Sequence, residues 1–189
     1  MIKLLIVIAE SRAITKYLAK KNQGQSGCQD LLGRTVVEQA VVEQWCEVES
    51  QQFHPPLYAI VEQVFIFPLK GLGTTDEAVV ERNVEKLGKV LDVYEERLSK
   101  NKHLAGDCFT LADLHHLPHL HNLVNGVGMG HLLYSRNHVR AWWGDISSRP
   151  AWIKVAHDMK LPSLHPTNDE MKSTVCCSPF TRPSAADPA

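Results

Sequence analysis

The hydrophobic pattern of the chain changes period close to its start. Leu4 to Ala9, "LLIVIA", is an unbroken apolar run rich in β-branched residues, which reads as a buried strand, although so short a run also fits a helical segment. Just beyond it, Ala13, Ile14, Tyr17 and Leu18 recur at helical spacing with Lys16, Lys20 and Lys21 between or after them, predicting a short helix with a basic last turn. From Thr35 onward every periodic segment is helical. Thr35 and Glu38 have capping-box spacing, and Val37, Val41, Trp45 and Val48 form one stripe running up to Pro55-Pro56. A second helix from about Leu57 is expected to stop near Pro68. After "GLGTTDE", Thr74 and Glu77 repeat the capping-box spacing, and Val80, Val84, Leu87, Leu91, Tyr94 and Leu98 mark a long amphipathic helix. Its polar side pairs Glu85 with Lys89 and Glu96 with Lys100 at helix-supporting spacing.

"GDCFTLADLHHL" is the most explicit folding signal. Thr110 stands as a cap, Asp113 at the third helical position, and Phe109 and Leu114 at the two staple positions. Pro118 should kink this helix. A further helix covers His138 to Ser147, and Pro150 suits the first position of a last short one. Residues 162–189 hold half of the ten prolines among Ser, Thr and Asp without apolar period, the pattern of a disordered tail.

Composition narrows the function classes. The 189 residues, 44% apolar, suffice for one domain with a real core, or a domain plus a remnant. Twenty basic against 21 acidic residues give a net charge of -1, so nothing points to nucleic acid or an anionic membrane as partner. The run "LLIVIA" is too short to span a bilayer and marginal as a signal-peptide core. Five irregularly spaced cysteines, Cys28, Cys46, Cys108, Cys176 and Cys177, form neither a disulfide framework nor a zinc pattern and fit a reducing, cytoplasmic compartment. Cys28, Cys46 and Cys108 have no adjacent base and read as packing residues.

Taken in order, "ESRAITKYLAKK", "VEQWCEVESQQFHPP", "KLGKVLDVYEERLSKNKHLAGDCFTLADLHHLPHL" and "HVRAWWGDISSRPAWIKV" resemble a phi-class glutathione transferase of plants, from about Glu10 to Val155. "FTLAD" and "RPAW" alone would indicate only the wider superfamily. The resemblance implies a mainly α protein, with an all-helical C-terminal domain preceded by a strand-helix remnant of a thioredoxin-like domain. The implied boundaries are residues 1–24 for the glutathione-binding remnant, 25–34 for a linker, 35–161 for the helical domain and 162–189 for the tail.

By the same resemblance, Glu10 and Ser11 match the acid-serine pair that holds the γ-glutamyl end of glutathione. The chemistry is sound by itself: a serine opening a helix can help hold a carboxylate among the free N–H groups there, and a glutamate can answer an ammonium. An ordinary serine N-cap beside an exposed acid is the alternative reading of those two residues. The family's reaction adds the thiol of reduced glutathione to electrophilic apolar small molecules in detoxification, with glutathione as co-substrate and no other cofactor. The intact family implies a homodimer. Tyr58, Glu62 and Ile66 recur every four residues on the helix whose family counterpart borders the second-substrate pocket. The family often carries an aromatic where Glu62 stands.

The family's catalytic serine and its Val-Pro step precede the matched region, and neither has a counterpart here. No catalytic residue is therefore assigned, and the chain as written is expected to show little or no conjugation. Lowering a thiol pKa by about two units takes roughly 2.7 kcal/mol of differential stabilisation. A non-catalytic module for apolar ligands or dimerisation is the second reading.

Other candidates carry less. "HHLPHLH" puts His115 and His119 on one helix face, a spacing that can bind a divalent metal, but no acidic residue completes an H-E-x-x-H arrangement and no metal is expected. "GVGMG" follows a helix and lacks Gly-Lys-Ser/Thr, so it is a connection and not a phosphate loop. Trp45, Trp142, Trp143 and Trp152 lie at helical spacings in apolar company and read as core.

Overall fold

The computed structural model describes residues 8–24 and 30–158. Most of the expected strand "LLIVIA", Cys28 and the expected tail lie outside the described residues. Helix α1 spans Ser11–Lys21, α2 Val36–Val48, α3 His54–Val61, α4 Phe67–Lys70 and α5 Glu77–Leu98. They are followed by α6 Leu111–Leu114, α7 His116–His121, α8 His131–Tyr134, α9 Asn137–Ser147 and α10 Pro150–Asp158. Among the described residues the extended pairing consists of the isolated bridge between His103 and Gly106.

The prolines interrupt the helices less than their sequence positions suggest. Widened π turns at Glu49–Phe53 and Glu62–Ile66 join α2, α3 and α4 into one path. Each lies just before a proline segment, where a wider turn makes room for a ring that has no N–H to give to the carbonyl one turn back. The path thus runs through Pro55, Pro56 and Pro68, and α4 ends at Gly71, whose φ of 63° is left-handed. Pro118 acts as expected: α6 and α7 are separate helices that break at His115.

Two local expectations are corrected. Helix α5 is capped by Asp76, which accepts from the N–H groups of Ala78 and Val79, while Thr75 donates its hydroxyl to the Gln63 carbonyl; the Thr74–Glu77 box does not form. Along α2 and into the turn after it the buried stripe is Val42, Trp45, Cys46 and Glu49, and Val37 is 73% exposed. The Thr35–Glu38 capping box is present.

Helix α5 is the axis of the domain, packed against α3 on one side and α9 on the other, while α2 lies on α6. Phe53, Leu57, Ile60, Leu87, Leu91, Leu104 and Ile146 fill the interior. At its centre the Tyr94 ring meets Trp45, Phe53, His116 and Trp142. His116 donates from Nδ1 to the Ala112 carbonyl at 2.7 Å, so its Nε2 accepts from the Tyr94 hydroxyl at 3.0 Å. That arrangement requires neutral imidazole, and burial holds His116 down at about 3. Trp45, Trp142 and Trp143 are buried as expected, and Trp152 packs half-buried against the core.

Asp113 ties the α6 region to the rest of the domain. One carboxylate oxygen accepts from the Thr110 N–H at 3.0 Å and the Thr110 hydroxyl at 3.4 Å. The other accepts from the Leu104 N–H at 3.1 Å and the Trp142 indole N–H at 2.8 Å. The expected capping box is therefore formed, and it reaches two further segments that local spacing does not reveal.

Candidate functional site

Helix α1 begins with Ser11 and has no acidic residue in its first turn, while Lys20 and Lys21 close its last turn. The side chain of Glu10, its N-cap, makes no capping hydrogen bond. Among the described residues the first N–H groups therefore have no side-chain acceptor, and the dipole there favours an anion. Glu10 has a φ of 69°, a left-handed backbone that is costly for a side chain larger than glycine's. Glu10 and Ser11 are both exposed and adjacent at this open end.

Polar contacts do most to hold α1 to the helical domain, for the helix has no fully buried residue and only Ala19, half-buried, packs against the core. Arg12 donates from Nε and Nη2 to the two oxygens of Glu49, at 2.7 and 2.9 Å. Glu49 is fully buried, and this pairing, partly opposed by desolvation, raises the Arg12 pKa. Lys16 pairs with Glu43 nearer the surface. Thr15 meets Nε2 of the buried His115 at 2.9 Å.

A cavity of about 720 Å³ opens between α1 and the α6, α7 and α10 region. Its wall is mainly apolar, with Leu18, Leu117 and Trp152 among its members, and Ser11, Arg12 and His115 add polar groups. The size and mixture fall within the usual range of small-molecule sites. The staple residues Phe109 and Leu114 also line it, with the Arg149 guanidinium 3.8 Å from the Phe109 ring centre. Thr110 and Asp113 lie buried and serve the capping network.

Histidines around the cavity are held neutral. Burial, followed by the positive charge of Arg12 and Lys16, brings His115 down to about 4. Burial, followed by His54 and Arg12, brings His119 down to about 4. Among the described residues no group of three or more His, Cys, Asp or Glu is placed to hold a metal ion. Cys46 is buried, and desolvation pushes its thiol up to about 12, so it is no nucleophile at neutral pH. Cys108 is exposed, which corrects the expectation that it packs inside.

Tyr58, Glu62 and Ile66 follow one another along α3 and the second π turn. Tyr58 is 46% exposed and its ring lies 5.7 Å from that of His54, while Glu62 and Ile66 are half-buried. None of the three lines the cavity beside Ser11. The sequence reading passed over Arg12, Thr15 and Glu49, and it brought up His115 only as half of a metal-binding spacing. Glu49 did leave a signal, because it continues the Val42, Trp45 and Cys46 stripe at helical spacing and a charge on an apolar stripe calls for a partner.

Residues 56–150 match the family model described as glutathione S-transferase, C-terminal domain. Glutathione S-transferase F10 of Arabidopsis thaliana is 50% identical over 155 residues, covering 82% of this chain and 71% of the relative. Glutathione S-transferase F9 of the same plant is 45% identical over 156 residues, with the same coverage of both chains. The solved glutathione transferase F7 from Populus trichocarpa superposes with a TM-score of 0.75 at 48% identity, over 80% of this chain and 70% of that one. Glutathione S-transferase I from mais, in complex with atrazine glutathione conjugate, gives a TM-score of 0.75 at 44% identity, over 82% and 70%.

Proposed function

Because the chain belongs to the glutathione S-transferase family, among its plant phi-class members, we propose that the open end of α1 is its seat for the γ-glutamyl end of reduced glutathione. In this reading the first N–H groups of α1 and the Ser11 hydroxyl hold the γ-glutamyl carboxylate, and Glu10 answers the ammonium. The observation that carries it is the N-terminus of α1, open, free of acid in its first turn and flanked by exposed Glu10 and Ser11. The reaction served is conjugation of glutathione to an electrophilic apolar small molecule, and the helical domain provides apolar surface for that second substrate. Tyr58, Glu62 and Ile66 remain the proposed border of the electrophile pocket, on the strength of the family likeness alone.

The same reading makes the protein a cytoplasmic homodimer, supported by the family and the cysteine pattern. Among the described residues no helix is long and apolar enough to cross a membrane. Calorimetric titration of glutathione into the 189-residue chain tests the seat. Ser11→Ala and Glu10→Gln should each weaken binding about tenfold, the value of one charge-assisted hydrogen bond. Unchanged affinity in both variants would place glutathione elsewhere.

The 720 Å³ cavity favours a second reading, capture of apolar ligands without conjugation. An apolar fluorescent dye that binds without competition from glutathione, together with no turnover of an aromatic electrophile, would support it. Turnover at the rate of the relatives would exclude it.

A further inference from the structure

The contact between Thr15 and His115 has a defined direction. The Thr15 hydroxyl donates its one proton to the Arg12 carbonyl at 2.9 Å. Toward His115 it can therefore only accept, and the 2.9 Å contact must be an Nε2–H donating to Oγ1. A neutral imidazole then carries no proton on Nδ1, and this atom is buried without a hydrogen-bond partner among the described residues. Leaving a buried acceptor unsatisfied is costly. Packing alone would be better served by an apolar side chain, so the purpose of the imidazole lies in its Nε2.

What Nε2 reaches is the first turn of α1. Through Thr15 it is linked to the carbonyl of Arg12, the residue after Ser11. Since α1 fully buries no residue and Ala19 packs only half-buried against the core, apolar packing does little to fix its direction. The Arg12–Glu49 pair fixes one point, and the more exposed Lys16–Glu43 pair is weakened by solvent. A second buried anchor is needed to set the angle of the helix end, and His115 is 6% exposed. We propose that His115, acting through Thr15, is a positioning residue that aims the N-terminus of α1, and so Glu10 and Ser11, at the γ-glutamyl end of glutathione. This rests on the proposed glutathione seat.

The test uses the 189-residue chain in two measurements. Nitrogen-15 spectra of the histidine rings at pH 7 should show His115 protonated on Nε2 and bare on Nδ1, and Thr15→Val should abolish that preference. In glutathione titrations, Thr15→Val and His115→Leu should each raise Kd about fivefold to tenfold, the worth of one hydrogen bond. Thr15→Ser, which keeps the hydroxyl, should bind as the wild type does. A His115 protonated on Nδ1, wild-type affinity in Thr15→Val, or a loss that Thr15→Ser does not restore would overturn the positioning role. Ser11→Ala separates the two claims. If it weakens binding while Thr15→Val does not, the seat stands and the role of His115 falls; if neither wild type nor variant binds, the seat itself falls and leaves His115 nothing to aim, while the ring spectra still decide whether its hydrogen bond exists.

Discussion

Replacing Asp113 by alanine should cost far more than removing an ordinary helix cap. The carboxylate is fully buried and accepts from the N–H groups of Thr110 and Leu104 and from the Trp142 indole. Alanine would leave these three donors buried without an acceptor. A single such orphan costs about 1 to 3 kcal/mol, and partial relaxation brings the expected total to about 3 to 5 kcal/mol. Against a stability of roughly 5 to 15 kcal/mol that is a large share. Asparagine should fall between, because its oxygen can keep Leu104 and Trp142 while its amide group meets the Thr110 N–H donor to donor. Thr35→Ala, at an exposed capping box, is the internal standard at about 1 kcal/mol. Equilibrium urea unfolding of the three variants supplies the comparison. If Asp113→Ala lowers stability no more than Thr35→Ala does, the network argument is wrong. If glutathione binding by the folded fraction disappears while the midpoint stays put, Asp113 has a ligand role that the geometry does not assign.

Acid should destabilise the protein early. His115, His116 and His119 are held at about 4, 3 and 4, chiefly by burial, against an ordinary 6.5. Between those values the unfolded chain binds more protons, so stability falls as pH drops below about 6.5, by about 1 to 2 kcal/mol per group at pH 5; an unfolding midpoint that does not move between pH 7 and 5 would contradict this. Asp113 acts in a lower window. Burial would raise its carboxyl, but the nearby His103 and the Thr110 and Trp142 hydrogen bonds together hold it below the ordinary value, so its contribution is present above about pH 4 and lost below it. Arg12→Ala strands the buried Glu49 carboxylate and should cost about 3 kcal/mol, whereas Arg12→Ala with Glu49→Leu should recover much of the loss; a denaturation series in which the double variant is the least stable refutes the pairing argument. Gly33 has a φ of 92°, and an added Cβ would lie 2.8 Å from the Glu38 Cβ, so Gly33→Ala should loosen the start of α2 and cost about 1 to 3 kcal/mol in the same assay.

The sequence by itself determined the helical class, most helix positions and the Thr110–Asp113 box, because these depend on neighbours three or four residues apart, where side-chain spacing maps directly onto geometry. It also placed Glu10 and Ser11 at the opening of α1. It misplaced the start of α5, since Asp76, Thr75 and Thr74 are all competent caps and only the packing against Gln63 selects among them. It expected helix breaks at Pro55-Pro56 and near Pro68, where π turns carry the helix through, a choice governed by burial of Phe53, Leu57 and Phe65. The anchoring of α1 was decided only by the tertiary structure. Arg12 finds Glu49 37 positions away and Thr15 finds His115 at a separation of 100. No local period encodes those meetings, because they follow from how α2, α6 and α7 pack, and that packing brings to one face side chains that the sequence holds far apart.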